Sequence, residues 1–122
     1  MTKRIPVVDD QDDLRGVLRD LFTSSGYIVI EAADGATGIA VAKSDRPSII
    51  LMDIQMPVID GYEATRRIKA DPNLTSIPIV AVSSFAMKGD EEKARAAGCD
   101  EYVTKPYSPI QLLRVIRGYL KA

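Results

Sequence analysis

The stretch Ile49-Ile50-Leu51-Met52 is apolar at every position and runs directly into a carboxylate, Asp53. A strand with one face in water alternates apolar and polar residues, so an unbroken apolar run predicts a strand buried on both faces, as in a parallel sheet. Pro57 prevents regular strand pairing beyond this point, and Asp60-Gly61 has the form of a helix N-terminus. The stretch therefore predicts a buried strand that presents one acid at its end, followed by a stiff loop.

Predicted strands and helices alternate along all 122 residues. The predicted strands cover residues 5–8, 27–31, 49–52, 77–82 and 101–104, and the predicted helices cover 11–25, 36–44, 60–70, 89–97 and 109–119. This alternation predicts βαβ units with right-handed crossovers and a parallel sheet. The predicted fold class is therefore α/β, with one doubly wound (βα)5 domain over residues 1–122.

Two predicted helices carry apolar stripes at helical spacing, which predict the faces that pack on the sheet. The stripe of the first helix is Leu14, Val17, Leu18, Leu21 and Phe22, and that of the last is Ile110, Leu113, Ile116 and Leu120. The last helix has further apolar positions that could serve a partner or a homodimer, although a wider core-facing surface is favoured, namely Leu112, Val115 and Tyr119. Pro6 departs from the pattern, because it removes a backbone donor from the first strand and predicts a local distortion there.

The composition excludes several classes of protein. Lys and Arg number 16 and Asp and Glu 17, so the formal net charge of −1 provides no large nucleic-acid footprint. No apolar stretch approaches the length of a membrane span. The absence of histidine excludes Ser-His and Cys-His catalysis, and a metal site would need oxygen ligands and a hard cation such as Mg²⁺. The single cysteine, Cys99, forms no internal disulfide, which favours a cytoplasmic protein with a small buried thiol.

Polar side chains follow four of the five predicted strands. Asp9 and Asp10 follow the first strand, Asp53 the third, Ser83 the fourth and Lys105 the fifth. Ligands of open parallel sheets bind beyond the carboxyl ends of the strands, so these residues are expected at one edge. Taken singly, Lys105 could be a solvated lysine before a turn and Ser83 a helix-capping serine. Their placement on successive strand ends favours a common site.

This set of residues predicts an aspartate that accepts a phosphoryl group. If the first and third strands are neighbours, about 4.8 Å apart, Asp10 and Asp53 repel each other by roughly 4 kcal/mol at an effective dielectric constant of 20. A cation such as Mg²⁺ offsets that repulsion and the charge that develops during phosphoryl transfer. Asp53 is then the nucleophile, Lys105 a fixed positive charge and Ser83 a hydroxyl donor.

At this point the chain resembles, over essentially its whole length, the response regulator receiver domain, which has the CheY-like, flavodoxin-like fold. The motifs that carry the resemblance are Val7-Val8-Asp9-Asp10, Leu51-Met52-Asp53-Ile54-Gln55-Met56-Pro57, Asp60-Gly61, Val82-Ser83-Ser84 and Lys105-Pro106. The stretch 85–90 resembles DivK-type single-domain regulators and the receivers attached to hybrid kinases. The resemblance implies a strand order of 2-1-3-4-5.

The resemblance also implies a role for each matching residue. Asp53 is the phosphorylation site, and Asp10, Asp53 and the backbone carbonyl of Gln55 bind Mg²⁺ or Mn²⁺, with Asp9 in the same cluster. Ser83 has the switch role and Lys105 contacts the phosphoryl group. The remaining implied features are the switch aromatic Tyr102, the positions that tune the phosphate lifetime (Gln55 and Phe85), and a cis peptide bond between Lys105 and Pro106.

The implied function is that of a response regulator in two-component signal transduction and phosphorelay. A sensor histidine kinase or a histidine phosphotransfer protein supplies the phosphoryl group, since the chain has no histidine of its own. The surface of the fourth helix, fifth strand and fifth helix then controls a downstream protein partner. We expect a cytoplasmic monomer or weak homodimer that binds neither nucleic acid nor membrane. The start at Met1 and the end after the fifth helix favour a stand-alone regulator.

Three other classes of protein share parts of this pattern. Aspartyl-phosphate phosphatases have a second Asp two residues after the nucleophile, whereas this chain has Gln55, so it is not expected to be a turnover enzyme. A flavodoxin-like FMN module needs a first loop rich in Ser, Thr and Gly, whereas residues 9–13 are almost all acidic. A pseudo-receiver, which binds partners without phosphorylation, remains the alternative. Ser84 stands where the family usually has alanine, and it introduces a potential competing hydrogen bond.

Overall fold

The computed structural model describes residues 3–84, 89–105 and 107–120. Its elements are, in chain order, β1 (Arg4–Val8), α1 (Asp12–Ser24), β2 (Ile28–Ala32), α2 (Gly35–Asp45), β3 (Ile50–Asp53), α3 (Gly61–Lys69), β4 (Ile79–Ser83), α4 (Asp90–Ala97), β5 (Glu101–Thr104) and α5 (Pro109–Leu120). The strands form one parallel sheet in the order β2-β1-β3-β4-β5. The predicted fold class and the implied strand order are both confirmed.

Helical layers cover both faces of the sheet, and successive residues of a central strand face opposite layers. In β3, Ile50 and Met52 belong to the core cluster that includes residues of α2, α3 and α4. Leu51 belongs instead to the cluster that includes residues of α1 and α5. Because both faces of β3 are covered, its residues before Asp53 are all apolar, which explains the run without alternation.

Every predicted element is present, and its ends lie within two residues of the predicted ones. The largest difference is at β4, which starts at Ile79 and not at Ile77. The N–H of Ile77 bonds to the carbonyl of Leu74 in the preceding turn. Pro78 has no N–H to contribute to a strand ladder, so the strand begins only after it.

The predicted helix stripes were wrong at two positions. Ile110 of α5 is 64% exposed and Val17 of α1 is 51% exposed. The buried face of α5 consists of Leu112, Leu113 and Ile116. At about 100° per residue, Ile110 points away from Leu112 by roughly 200°, so both cannot face the sheet. None of the helices within the described residues has both the length and the apolar character needed to cross a bilayer.

Pro6 occupies an interior strand, yet the ladder between β1 and β3 begins only after it. Register pairs join β1 to β3 at Val7 and Val8, whereas β1 pairs with β2 along all five of its residues. A proline lacks the N–H that a continued ladder would require. Pro6 thus lies just before the β1–β3 ladder begins, and the distortion or loss of stability expected there stays a prediction.

The start of α3 is packed directly on the backbone that follows the central strand. Asp60 caps this helix, because its side chain accepts a hydrogen bond from the N–H of Glu63 at 2.9 Å. The N–H of Gly61 donates to the carbonyl of Ile54 at 2.9 Å. A Cβ at Gly61 would lie only 2.3 Å from the backbone oxygen of Asp53. Glycine is thus required here by close approach, and it fixes α3 against the end of β3.

We predict that Gly61→Ala destabilises the fold by about 1–3 kcal/mol, the usual cost of overpacking, because a backbone oxygen cannot move aside as a flexible side chain can. Chemical denaturation measures the change. The matched control is Gly118→Ala in α5, where an added Cβ meets no atom within 4 Å. The control should gain up to about 1 kcal/mol from helix propensity. Equal stability of the two variants would contradict the close-approach explanation.

Candidate functional site

The carboxyl edge of the sheet brings the predicted site residues together. Asp53 is the last residue of β3 and Ser83 the last residue of β4, and both are almost completely buried. Asp9 follows β1 directly and is also buried, whereas Asp10 is exposed. Lys105 follows β5. The crossovers of the doubly wound fold thus place four distant segments at one edge, as the strand ends predicted.

Three carboxylates form a compact acidic cluster at this edge. One carboxylate oxygen from each of Asp9, Asp10 and Asp53 lies within 4.8 Å of the other two. An all-oxygen donor set with two buried members and one exposed member suits a hard divalent cation that keeps some of its water ligands. The residues present therefore fit the magnesium site that the sequence predicted.

Lys105 reaches across the edge to the acidic cluster. Its Nζ is 3.4 Å from Oδ1 of Asp53 and 3.9 Å from Oδ2 of Asp9. It also donates to the side-chain oxygen of Gln11 at 3.4 Å. β5 is two strands away from β3, so only a long side chain spans this gap. These distances agree with a lysine that leans from the fifth strand end toward Asp53.

Burial leaves Asp53 with an unusual charge balance. Removal from water, and next the negative charge of Asp9, raise the pKa of Asp53 to about 7. The ammonium group of Lys105 and the N–H of Gln55, which is 3.3 Å from Oδ1, oppose that rise. The pKa of Asp9 is also raised, mainly by burial. A cation in the cluster would favour the ionised carboxylates and would therefore displace protons.

Asp9 is fixed in place by the loop that enters α1. Its Oδ1 accepts a hydrogen bond from the N–H of Gln11 at 2.8 Å. Its backbone carbonyl accepts one from Arg15 at 2.7 Å, and the same guanidinium contacts Asp12 and Glu31. Arg15 thereby ties the β1–α1 loop to β2. The sequence analysis assigned no role to Arg15 or Gln11, since the strand ends alone do not show which helical residues reach back to them.

The side chain of Gln55 joins the loops that follow β3 and β4. Its Nε2 donates to Oγ of Ser83 at 2.8 Å, and its Oε1 accepts from the backbone N–H of Ser84 at 2.7 Å. This hydrogen bond uses the backbone N–H of Ser84, which any residue except proline provides, and the competing bond predicted for the serine hydroxyl stays a prediction. Only the backbone carbonyl of Gln55 and a tuning role were predicted, so this side-chain bridge was missed.

Two tyrosines, one in β5 and one shortly after it, pack on opposite faces of the sheet. Tyr102 lies in β5, is half-buried and packs against the core cluster of the α2–α3–α4 layer. Tyr107 packs against the opposite cluster, and its Oη is buried with no hydrogen-bond partner among the described residues. Burial and the charges of Asp9 and Asp53 raise the pKa of the Tyr107 phenol. Tyr107 therefore remains a protonated O–H group near the acidic cluster, a feature that the sequence analysis missed.

Two predictions concern residues outside the described ranges. Phe85 was predicted to tune the phosphate lifetime, and the Lys105–Pro106 peptide bond was predicted to be cis. Phe85 and Pro106 are not among the described residues. Both predictions therefore stay predictions.

The arrangement of an acidic cluster, a buried aspartate and a lysine at this edge has a counterpart among known protein families. The sequence of residues 5–117 matches the family model of the response regulator receiver domain. The chain belongs to this family. The match includes every predicted site residue, from Asp9 to Lys105.

Relatives and solved structures cover almost the full length of this receiver domain. The polar-differentiation response regulator DivK of Brucella ovis is 42% identical over 120 residues, which is 98% of each chain. The receiver domain of the sensor histidine kinase PA1611 from Pseudomonas aeruginosa, solved with a magnesium ion coordinated in its active site cleft, is 34% identical, with a TM-score of 0.91 and full coverage of both chains. The chemotaxis protein CheY4 of Vibrio cholerae is 25% identical, with a TM-score of 0.91, over 98% of this chain and 99% of its own.

The raised pKa of Asp53 predicts how stability depends on pH when no divalent cation is present. The ordinary pKa of an aspartate is 3.8, and that of folded Asp53 is about 7. Between these values the folded state holds a proton that the unfolded state has lost. The free energy of unfolding should therefore fall as the pH rises from about 4 to about 7, and the stabilising contribution should be gone above that range.

Asp53→Asn removes this titration and the repulsion from Asp9. We predict that the variant exceeds the wild type in stability by at least about 1 kcal/mol at pH 8, and that its stability falls less steeply with pH. Urea denaturation in the presence of a chelator measures both effects. Asp20→Asn is the control, because the side chain of Asp20 is 76% exposed. A wild type as stable as Asp53→Asn at pH 8 would contradict the prediction.

Proposed function

We propose that this receiver domain accepts a phosphoryl group on Asp53 from a phosphohistidine of a partner protein. A carboxylate oxygen of Asp53 would attack phosphorus, the nitrogen–phosphorus bond of the donor would break, and the donor histidine would leave as a neutral imidazole after gaining a proton. The observation that carries the proposal is a buried aspartate at the end of β3, 3.4 Å from the ammonium group of Lys105.

The chain's own residues prepare Asp53 for this transfer. Lys105 provides a positive charge beside the oxygen that would carry the phosphoryl group, and Ser83 provides a hydroxyl on the neighbouring strand. Burial keeps bulk water away from Asp53, which strengthens electrostatic interactions within the site.

The proposal includes a divalent cation, Mg²⁺, held by the carboxylates of Asp9, Asp10 and Asp53 and by the backbone carbonyl of Gln55. Its support is the acidic cluster itself and the magnesium ion named for the PA1611 receiver domain. When bound, Mg²⁺ would supply the positive charge that allows Asp53 to be ionised at neutral pH and that neutralises the transferring oxygens. No imidazole is available in this chain as a softer ligand, since it contains no histidine.

The donor would be a sensor histidine kinase or a histidine phosphotransfer protein, since a chain without histidine cannot form a phosphohistidine itself. The protein would act in the cytoplasm. It would be a regulator and not a turnover enzyme, because Gln55 stands two residues after the nucleophile, where an aspartyl-phosphate phosphatase has its acid. The response regulator name of the DivK relatives supports a place in two-component signalling.

We predict that incubation with acetyl phosphate and Mg²⁺ adds one phosphoryl group to the intact protein, measured by mass spectrometry. Asp53→Asn and removal of Mg²⁺ should each abolish the gain. A gain that persists in Asp53→Asn would place the acceptor elsewhere. No gain in the wild type, together with a folded protein by circular dichroism, would favour the pseudo-receiver, which binds partners without phosphorylation.

We further predict that Lys105→Met slows phosphorylation at least about tenfold, because its ammonium group lies 3.4 Å from Oδ1 of Asp53, the proposed acceptor. The time course of the same mass change measures the rate. Lys43→Met in α2 is the matched control, since Lys43 is exposed and lies on a helix away from the acidic cluster. Similar rates for the two variants would remove Lys105 from the proposed site.

Phosphorylation would reach the partner surface through Ser83 and Tyr102. The new group adds about −1.5 to −2 charges beside Lys105 and Ser83. Movement of the Ser83 hydroxyl toward that charge would leave space into which Tyr102 can turn. α4 is suited to respond, because its buried contacts are made by only two alanines, Ala94 and Ala97. Such couplings are typically about 1–3 kcal/mol, enough to change partner affinity without refolding the domain.

We predict that beryllofluoride, a stable mimic of the aspartyl phosphate, shifts the NMR resonances of Tyr102 and of α4 in the presence of Mg²⁺. The resonances of β2, at the far edge of the sheet, should change much less. Shifts confined to the residues around Asp53 would show that binding occurs without the proposed switch.

A further inference from the structure

The carboxamide of Gln55 spans two polar groups at the end of β4. Its Oε1 accepts from the backbone N–H of Ser84 at 2.7 Å, and its Nε2 donates to Oγ of Ser83 at 2.8 Å. The orientation of the amide is determined by chemistry, because a backbone N–H can only donate and therefore faces Oε1. Nε2 is left to face the Ser83 hydroxyl.

The same two groups lie at the end of the strand beside Asp53. Asp53 is in register with Val82 of β4, so Ser83 and Ser84 are the next residues toward the carboxyl edge. The N–H of Ile54 bonds to the carbonyl of Val82 at 2.9 Å, which holds the two strand ends side by side. A dianionic group on Asp53 needs hydrogen-bond donors, and the described end of β4 offers it the Ser84 N–H and the Ser83 hydroxyl among others.

We propose that the side chain of Gln55 is an internal competitor of the phosphoryl group: it occupies the Ser84 N–H and holds the Ser83 hydroxyl in the unphosphorylated state. This inference rests on the proposed function. Gln55 is thus a positioning residue that acts through Ser83 and Ser84. Before an anion on Asp53 can use the Ser84 N–H, the hydrogen bond to Oε1 has to break.

The competition acts on the equilibrium between the resting and the modified site. Breaking the Gln55 bridge costs the free energy of its hydrogen bonds, and this cost weakens the binding of any phosphoryl mimic. A side chain of similar length without the amide leaves the Ser84 N–H to water, which a charged ligand displaces more easily. This effect is separate from the lifetime of the aspartyl phosphate, because beryllofluoride is not hydrolysed as a phosphate is.

The test is a titration of the full chain with beryllofluoride at constant Mg²⁺, followed by the NMR resonance of the Ser84 amide. Gln55→Met keeps the length of the side chain and the backbone carbonyl, and it removes both hydrogen bonds. Gln111→Met is the matched control, since Gln111 is an exposed residue of α5 whose only described hydrogen bond is made by its backbone. We expect Gln55→Met to bind beryllofluoride about 5–30-fold more tightly than the wild type, and Gln111→Met to bind it equally.

Gln55→Asn provides a second measurement in case Gln55→Met does not fold. It retains the amide but is one methylene shorter, so it cannot span both Ser83 and Ser84 from the same backbone position. Tighter binding by Gln55→Asn than by the wild type would support the competition. Binding by either folded variant that is equal to, or weaker than, that of the wild type would overturn it. If the wild type itself fails to bind beryllofluoride, the proposed function is contradicted. The variants test a different point, since their affinities relative to a binding wild type concern only the competition by Gln55.

Discussion

The burial of Asp53 beside Asp9 is the constraint on which the rest of the site depends. A carboxylate at the end of a strand that is covered on both faces loses its hydration, and a second carboxylate nearby adds repulsion. Lys105 offsets part of this cost from two strands away. The negative charge of the site is therefore only partly compensated by the described residues, which favours a bound cation; with that cation in place, the proposed phosphoryl group would meet less repulsion.

The residues of the site come from several strand ends and not from one continuous loop. Parallel strands joined by right-handed crossovers all end at the same edge, so residues as far apart in sequence as Asp9 and Lys105 meet there. The backbone at the end of β3 is held from one side by Gly61 of α3 and from the other by the carbonyl of Val82. The position of Asp53 is thus fixed by packing of the surrounding backbone, and this packing requires a glycine where α3 begins.

The sequence predicted the fold and the strand-end residues well, because both follow from periodicity and from chain direction. Ile110 shows where periodicity fails: an apolar helix offers more than one stripe, and only the packing against the sheet decides which one is buried. The bridge made by Gln55 was not predictable either. A side chain two residues after a strand end has several directions open to it, and its choice of Ser83 and Ser84 depends on how two loops approach each other. The buried hydroxyl of Tyr107 was not predictable for a similar reason, since the burial of a side-chain atom depends on how the assembled core packs around it.

The buried aspartate and the Gln55 bridge together explain how a small domain can rest in one state and still respond to one chemical event. In the resting site Gln55 accepts the hydrogen bond of the Ser84 N–H and donates to the Ser83 hydroxyl, while the carboxylates remain poorly compensated. Under the proposed function, a phosphoryl group would reverse this distribution, because it would bring charge that Lys105 can pair with and would take over the Ser84 N–H that Gln55 holds. The free-energy difference between the two states would then be a balance of a few hydrogen bonds and one ion pair, in the range of ordinary allosteric couplings. Substitutions at Gln55 would change this balance without altering Asp53, the proposed acceptor.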